Sequence, residues 1–289
     1  MNPSLPGPME LSCGQCATLA CLLEVIAPKP GNVHRGADFE DLHFSDLAVS
    51  AVLIGPTLDQ AAHRPVGQTI RDAVRVTRSA VATNSNLGII LLLSPLAAVP
   101  PGVPLPAGIR QVLDGLTAAD AADIYEAIRL ANPGGLGRTE QMDVAAAPPA
   151  DLRAAMALAQ DRDLVARQYV NGFEDVFERV VPWLQAGRSA SWTLTTSIVH
   201  THVQMMACVP DSLIARKCGS EIARQAQQRA CRVLEAGSPG EEDYERELGE
   251  LDFWLRSDGH RRNPGTTADL VAAGLFAGLR DRQFPPPWL

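Results

Sequence analysis

Apolar residues recur every three or four positions along most of this chain, which is the spacing of one face of an α-helix. Leu19, Leu22 and Ile26 show this pattern near the N-terminus. The pattern predicts helices over 11–27, 45–64, 67–83, 86–96, 108–131, 149–187, 190–208, 211–236, 240–257 and 266–282. Strand-like alternation beside hairpin turns is nearly absent. We therefore predict an all-α fold, a single multi-helix globular domain over residues 1–289, with the functional site built from the loops between helices.

Charge and hydropathy exclude several classes of protein. The net charge is −8 and 46% of the residues are hydrophobic, and no clustered basic face of the kind that binds nucleic acid is visible. No apolar run reaches the roughly 18 residues of a membrane span, and the N-terminus lacks the pattern of a signal peptide. We expect a cytoplasmic protein that binds neither nucleic acid nor membrane and that can form a homodimer.

The six cysteines do not form a recognisable metal or disulfide framework. Cys13 and Cys16 have the CxxC spacing, but no second pair and no matching histidines complete a zinc site. His200 and His202 are two residues apart and would face different sides of a helix. We interpret the cysteines as free thiols that pack between helices.

A rigid basic turn interrupts the first helical segments at "PKPGNVHR", residues 28–35. Pro28 and Pro30 restrict the backbone, and Gly31 permits conformations that other residues resist. A lysine held between two prolines, Lys29, suits a phosphate group, which it meets as a point charge. The alternative is an ordinary stop after a helix, with a solvated Lys29.

Three carboxylates follow in "DFED", namely Asp38, Glu40 and Asp41. Carboxylates this close repel one another unless a cation lies among them. Magnesium binds one or two carboxylates together with phosphate oxygens and water, so the segment is a candidate Mg²⁺ site. The alternative is a set of acids that favour the N-terminus of the next helix.

Two further loops have both a structural and a functional interpretation. In "TNSNLG", Asn84 and Asn86 can cap the helix that follows, and Gly88 can let the backbone approach a ligand. In "NPGTTADL", Thr266 and Asp269 have the spacing of a capping box. The same helix N-terminus is also a candidate anion site. The glycine-rich "NPGGLGRTEQMD" at 132–143 follows no strand and matches no phosphate-binding fingerprint.

Four segments together resemble the triphosphoribosyl-dephospho-coenzyme A synthase family: "EVIAPKPGNVHR…DFED", "TNSNLGIILLLSPL", "PDSLIARKCG" and "NPGTTADLVAAGLF". Their order and approximate spacing hold from about residue 10 to residue 283. The resemblance implies an all-α, magnesium-dependent transferase. Its named reaction moves a 5-triphosphoribosyl group from ATP to the 2′-hydroxyl of 3′-dephospho-coenzyme A and releases adenine.

The resemblance also assigns roles. Lys29 would bind phosphate, and Asp211 or Asp269 would act as the general base or as the partner of the positive charge that develops on the sugar. The full set of candidates comprises catalytic Asp211 and Asp269; metal-binding Asp38, Glu40 and Asp41; and substrate-binding Lys29, Gly31, Asn32, His34, Arg35, Asn84, Asn86, Gly88, Arg216, Asn263, Gly265 and Thr266.

Two positions differ from the members of the family that are associated with lyases. His34 stands where those members usually carry Asp, and Asn86-Leu87 stands where they tend to carry His-Lys. Both features resemble a second branch, found with methanopterin-type one-carbon metabolism, which implies a different acceptor. A third hypothesis, from another class, is a non-catalytic nucleotide-binding protein, which would bind ATP without releasing adenine.

Overall fold

A computed structural model describes residues 10–133, 148–284, 286 and 288. Most of the glycine-rich segment 132–143 therefore lies outside the described residues. Within them, fourteen α-helices account for the architecture and the only strand-like pairing is an isolated bridge between His34 and Ala37. The predicted all-α fold is confirmed; a single domain over the whole of 1–289 stays a prediction.

The helices are, in chain order, α1 (Cys13–Ile26), α2 (Phe44–Asp59), α3 (Val66–Ala80), α4 (Leu87–Ala97), α5 (Leu105–Asp114), α6 (Ala118–Ala131), α7 (Leu152–Ala159), α8 (Leu164–Asn171), α9 (Val181–Ser189), α10 (Leu194–Cys208), α11 (Ser212–Cys218), α12 (Ser220–Glu235), α13 (Glu242–Arg256) and α14 (Gly265–Arg280). A short 3₁₀ helix spans Ala61–His63, and a π-helical turn spans Val176–Val180.

Three of the predicted long helices are divided in the structure. The segment 108–131 is broken before α6, where Thr117 caps the new helix. The segment 149–187 is broken at Asp163, which caps α8, and again at Gly172. The segment 211–236 is broken at Gly219, whose φ of +93° favours glycine. Because apolar spacing continues across each break, periodicity alone could not locate them.

Helices α4 and α14 form the centre of the fold. Nearly every residue of both helices is buried, as expected for helices that are apolar on all sides. Helix α1 packs between α2 and α14, and α4 packs against α14. The first turns of α4 and α14 therefore lie deep in the fold, next to the loops that the sequence singled out.

A second, smaller hydrophobic cluster joins helices α10 to α13. Its side chains include Val203, Tyr244 and Leu255. It holds in place helix α13, against which the turn at 28–34 packs. All six cysteines are free. Across the described ranges, none of the helices combines the length and the apolar character that a membrane span requires.

Helices α1 and α2 approach each other closely at two glycines. A Cβ atom at Gly14 would lie 2.1 Å from the carbonyl oxygen of Gly55 and 2.8 Å from Cγ of Asp59. The amide of Gly14 also donates a 2.6 Å hydrogen bond to Asp59 Oδ1. The contact is therefore backbone against backbone and cannot be relieved by moving a flexible side chain.

We expect Gly14→Ala to lower the free energy of unfolding by about 1–3 kcal/mol, the usual cost of forcing extra volume into a packed interior. Urea denaturation measures the change. Gly249→Ala in α13 is the matched control, because a Cβ there meets nothing within 4 Å; it should be neutral or gain up to about 1 kcal/mol from helix propensity. Equal effects of the two variants would contradict the close approach of α1 and α2.

Candidate active site

The turn that contains Lys-Pro-Gly-Asn is held against α13 and the loop before α14. The amide of Gly31 donates a 2.8 Å hydrogen bond to Asp252 Oδ1, and Asn32 Nδ2 donates to Asn263 Oδ1 at 2.5 Å. Gly31 has φ +74°, and a Cβ on it would collide with Leu255. The structure thus brings the predicted residue Asn32 against Asn263, 231 positions away in sequence, and holds the neighbouring Gly31 against Asp252.

Lys29 turns away from this surface and into the protein. Its side chain is 0% exposed, and Nζ lies 2.8 Å from Glu24 Oε1. Nζ also donates hydrogen bonds to the carbonyl oxygens of Glu24 and Ala27 at the end of α1. In this arrangement the ammonium group serves the end of α1 and the Glu24 carboxylate. The alternative of a solvated lysine is wrong, and phosphate binding by Lys29 stays a prediction.

The carboxylates of the DFED segment do not converge. Phe39 is buried and stacks on His260, with ring centroids 4.0 Å apart, while Asp38, Glu40 and Asp41 are exposed. Asp38 accepts a 2.7 Å hydrogen bond from the Phe44 amide at the start of α2, which is the helix N-terminal role. Among the described residues, no three His, Cys, Asp or Glu side chains lie close enough together to hold a metal ion.

The loop before α4 and the first turn of α14 meet at Gly88. A Cβ atom at Gly88 would lie 2.0 Å from Asp269 Oδ2, so the carboxylate rests directly on the backbone of α4. Asn84 accepts a 3.3 Å hydrogen bond from the Leu87 amide and caps the helix as predicted. Asn86 does not cap it with its side chain; it is buried, and its Nδ2 has no hydrogen-bond partner among the described residues.

Asp211 joins two helix N-termini. Its Oδ1 accepts hydrogen bonds from the amides of Leu213 and Ile214 in α11, at 2.8 and 3.0 Å. Its Oδ2 accepts from the amide and the hydroxyl of Thr267 in α14, at 2.7 and 2.8 Å. Burial raises the pKa of the Asp211 carboxyl, and these four hydrogen bonds oppose that shift. Both oxygens are therefore committed to holding the helices together.

The predicted capping box of Thr266 and Asp269 is wrong. Helix α14 begins at Gly265, its N-cap position is Pro264, and no side chain of its own caps it. Asp211, from another segment, supplies the cap instead. Thr266 is buried and accepts a 3.1 Å hydrogen bond from Ser212, which links α11 to α14. Asp269 is left free to face α4.

Charged groups from several segments of the chain act on Asp269. Burial raises the pKa of Asp269 well above its usual value, and the nearby carboxylates of Glu24, Asp211 and Asp163 raise it further. Arg216 acts in the opposite direction. In the described part of the chain, no group donates a hydrogen bond to the Asp269 carboxylate, which distinguishes it from Asp211.

The guanidinium group of Arg216 has N–H groups that find no hydrogen-bond acceptor among the described residues. Its Nη1 lies 3.7 Å from Asp163 Oδ2, beyond hydrogen-bonding distance. Its Nε is buried, and none of the described residues accepts a hydrogen bond from it. A guanidinium group with unused N–H donors next to a cluster of carboxylates is a candidate anchor for an anionic ligand.

The predicted residues His34 and Arg35 lie outside the cluster of charged groups around Asp269. His34 lines a cavity of about 230 Å³ with Pro28, Pro30, Leu248 and Asp252. Burial and the charges of Arg256 and Lys29 lower the pKa of His34. Arg35 is exposed. His34 and Arg35 therefore lie on the outer side of the turn. Asn84, Asn86, Gly88, Thr266 and Asp269 lie around the starts of α4 and α14, and Arg216 approaches Asp269 from the last turn of α11.

Three residues near Asp211 and Asp269 were not predicted from the sequence: Glu24, Asp163 and Thr267. Asp163 caps α8 through the amides of Val165 and Ala166. An Asp just before an apolar helical run is a recognisable N-cap signal, so this role was open to prediction. Glu24 and Thr267 gave no such signal, because their partners are determined by tertiary packing.

Comparison with known proteins places this all-α chain among transferases that use ATP. A family model described as ATP:dephospho-CoA triphosphoribosyl transferase (CitG) matches residues 10–286. The chain therefore belongs to that family, as the resemblance of its loop segments indicated.

Named relatives and a solved structure agree with this membership. The chain is 26% identical over 277 residues to a probable 2-(5″-triphosphoribosyl)-3′-dephosphocoenzyme-A synthase of Pseudomonas syringae pv. tomato, with 87% of this chain and 84% of the relative covered. A protein of the same description from P. syringae pv. syringae is 27% identical over 271 residues, with the same coverage. The crystal structure of a putative triphosphoribosyl-dephospho-CoA synthase from Archaeoglobus fulgidus aligns with TM-score 0.61 and 26% identity, over 81% of this chain and 98% of the other.

The raised pKa of Asp269 predicts a specific pH dependence of stability. In the unfolded chain an Asp titrates at about 3.9, so below that pH the carboxyl is protonated in both states. As the pH rises from there through the higher folded pKa, the folded state keeps its proton longer and stability is lost. We expect Asp269→Asn, which cannot ionise, to gain stability relative to the native protein at pH 8 but not at pH 4.

Denaturation in urea at several pH values measures this difference. Asp211→Asn is the control, because it disrupts hydrogen bonds at the start of α11 and α14 and should destabilise the protein at pH 8. A gain of stability in Asp269→Asn that is equal at both pH values would show that the Asp269 carboxyl is not titrating in this range.

Proposed function

We propose that this protein transfers the 5-triphosphoribosyl group of ATP to the ribose 2′-hydroxyl of 3′-dephospho-coenzyme A, with release of adenine. One observation carries the assignment of the site. The Asp269 carboxylate rests on the bare backbone of Gly88, accepts no hydrogen bond from the described residues and lies near the unsatisfied guanidinium group of Arg216. Family membership supplies the reaction.

The reaction requires a group with the properties of Asp269. The bond between C1′ of the ATP ribose and N9 of adenine breaks, and its electron pair leaves with adenine. The acceptor oxygen forms the new bond to C1′, and its proton goes to Asp269 as general base. Adenine takes up a proton at N9 from solvent, and Asp269 afterwards returns the hydroxyl proton to solvent, so that protons balance over one turnover. In its ionised form Asp269 also stabilises the positive charge that develops on the ribose.

Asp211 is less suited to that role. A base must accept a proton at an exposed lone pair, whereas both oxygens of Asp211 already accept hydrogen bonds from α11 and α14. We therefore assign Asp269 as the base and Asp211 as the residue that positions it, since Asp211 holds the first turn of the helix that carries Asp269. This selects one of the two aspartates that the sequence left as alternatives.

Arg216 and the surrounding helix ends account for the binding of phosphate. Helices α4, α8, α11 and α14 all begin near Asp269, where the positive ends of their dipoles favour negative charge. Arg216 adds N–H donors in the fork geometry that suits phosphate oxygens. We assign the triphosphate to this side of the site.

Magnesium remains part of the proposal, as an ion that accompanies ATP. The exposed Asp38, Glu40 and Asp41 do not make a preformed three-carboxylate site, so the structure does not fit a resident metal there. Magnesium commonly binds through phosphate oxygens, water and one or two carboxylates, and no step above depends on it.

The identity of the acceptor distinguishes the two branches of the family. His34 lines the outer cavity rather than the surroundings of Asp269, and the buried Asn86 lies beside Gly88 with an unused Nδ2. Of the two departures, Asn86 is therefore the one placed to affect the reacting groups. The alternative of a different acceptor in one-carbon cofactor synthesis rests on these two residues. ATP and coenzyme A precursors suit the expected cytoplasmic location, and a homodimer stays a prediction.

Chromatography of the purified protein incubated with ATP and Mg²⁺, with and without 3′-dephospho-coenzyme A, tests the function. We expect free adenine only when the acceptor is present. Asp269→Asn should lower the rate by about 10²–10⁴-fold, the usual contribution of a general base.

The controls separate the alternatives. Asp281→Asn is a matched control, because Asp281 lies at the far end of α14, bound to Arg280 and to the Leu105 amide; its rate should change little. Thermal stabilisation by ATP without adenine release would point to another acceptor or to a non-catalytic binder. Full activity in Asp269→Asn would refute the assignment of the base.

The proposed role of Arg216 leads to a separate prediction. Loss of a hydrogen bond to a charged group costs about 1.5–3 kcal/mol, so Arg216→Gln should raise the KM for ATP by about ten- to a hundredfold. Arg224→Gln is the control, since Arg224 is exposed on α12 and paired with Glu221. An unchanged KM in Arg216→Gln would place the triphosphate elsewhere.

A further inference from the structure

A cavity of about 230 Å³ lies between helix α13 and the turn at 28–34. One wall is a single face of α13, because its four lining residues recur at three- and four-residue spacing. The other wall is the turn itself. The lining residues are Glu245, Leu248, Gly249 and Asp252 from α13, and Pro28, Pro30 and His34 from the turn.

The structure fixes both walls of this cavity against each other. Two prolines restrict the backbone of the turn, and the Arg256 guanidinium group donates a 2.6 Å hydrogen bond to the carbonyl oxygen of Asn32. The Asp252 carboxylate accepts a 2.8 Å hydrogen bond from the Gly31 amide. A preformed cavity of this kind binds a ligand with a smaller loss of conformational freedom.

Gly249 lies in the middle of α13, where neither packing nor backbone geometry requires glycine. A Cβ atom on it would meet nothing within 4 Å, and its φ is not positive. Glycine inside a helix is less stable than alanine, and such a glycine usually has a packing or functional reason. Here the missing side chain keeps the cavity open on the side of α13.

The cavity lining combines apolar surface with separate hydrogen-bonding groups. His34 Nδ1 accepts a 3.2 Å hydrogen bond from the Gly36 amide, which leaves the proton of the neutral ring on Nε2 as a donor. Burial lowers the pKa of His34 and so favours that neutral ring. Glu245 and Asp252 supply carboxylate acceptors whose charge repels phosphate. The cavity therefore suits an uncharged ligand that has N–H and C=O groups and an apolar body.

The cavity and Asp269 lie on either side of the loop that leads into α14. Asn32, in the turn that lines the cavity, donates a hydrogen bond to Asn263. Helix α14 begins two residues later at Gly265, and Asp269 follows four residues after that. A ligand in the cavity is therefore close to the candidate active site but does not occupy the place of the reacting atoms.

One part of the two proposed substrates is both uncharged and remote from the reacting bond. In ATP, the adenine and the ribose are the reacting groups, and the triphosphate is anionic. In 3′-dephospho-coenzyme A, adenine is joined directly to the reacting ribose, and the diphosphate is anionic. The pantetheine arm beyond that diphosphate is an uncharged chain with amide groups and apolar carbons, which are the features that the cavity suits.

We propose that this cavity binds the pantetheine arm of the acceptor, with His34 Nε2 donating to an amide carbonyl and Glu245 accepting from an amide N–H group. Leu248 and the two prolines contact the apolar carbons of the arm. This inference rests on the proposed function, because it takes 3′-dephospho-coenzyme A to be the acceptor. It gives His34 a role in recognising the acceptor rather than in the reaction itself.

Gly249→Leu tests the inference, because it fills the cavity where the space is open and leucine is a good helix former. We expect the KM for 3′-dephospho-coenzyme A in adenine release to rise by about ten- to a hundredfold, as when about five to ten ligand atoms lose their contacts. The KM for ATP should not change. An unchanged KM for 3′-dephospho-coenzyme A, or an equal rise for both substrates, would overturn the inference.

A shortened acceptor and a matched variant make the test specific to the arm. ADP-ribose carries the adenosine diphosphate of the acceptor with a sugar in place of the arm, so its kcat/KM should be lower in the native protein and unchanged by Gly249→Leu. Glu250→Leu adds the same side chain to α13 at an exposed position outside the cavity lining, and its KM values should equal those of the native protein. Equal use of both acceptors by the native protein would refute the inference.

Calorimetric titration without ATP separates this inference from the proposed function. We expect the native protein to bind 3′-dephospho-coenzyme A about ten- to a hundredfold more tightly than ADP-ribose, and Gly249→Leu to bind both equally. If the native protein releases no adenine, the proposed function fails, and the titration still decides whether the cavity binds the arm. If adenine is released but the native protein binds both ligands equally, the function stands and the inference fails.

Discussion

The four hydrogen bonds accepted by Asp211 connect the parts of this structure on which the site depends. One carboxylate serves as the cap of α11 and, across 56 positions of sequence, as the cap of α14. Because a helix N-terminus buried without acceptors is costly, this single side chain allows α14 to begin in the interior. The start of α14 in turn determines where Asp269 lies.

Asp211 and Asp269 carry the same carboxyl group, but their surroundings give the two groups different properties. Asp211 has every lone pair engaged and acts as a structural acceptor, whereas Asp269, four residues into α14, has none engaged by the described residues. Burial without compensation destabilises the ionised form of Asp269. Ionisation of Asp269 therefore lowers the stability of the folded protein. The same unfavourable environment makes the ionised carboxylate a stronger acceptor of a proton.

Sequence patterns predicted the fold class and singled out loops that the fold brings together, but not the partners of the residues in those loops. Period and composition were sufficient for an all-α fold, and the loops at 28–35, 84–88 and 263–269 do converge. Thr266 and Asp269 satisfied the spacing of a capping box, yet the acceptor came from Asp211. Lys29 likewise has its charged partner behind it in α1 rather than ahead in the DFED segment. Spacing describes neighbours along one helix and contains no information about a side chain brought in by packing.

The backbone contact between Gly88 and Asp269 gives a means of interpreting other proteins of this fold. A methyl group at position 88 would lie only 2.0 Å from the Asp269 Oδ2 atom. A residue larger than glycine at position 88 is therefore incompatible with the Asp269 side chain in this position. A relative with a larger residue there must carry its acidic group in another rotamer or on another helix. The pair can therefore serve as a diagnostic of whether a helical homologue has retained the proposed catalytic arrangement or only the scaffold.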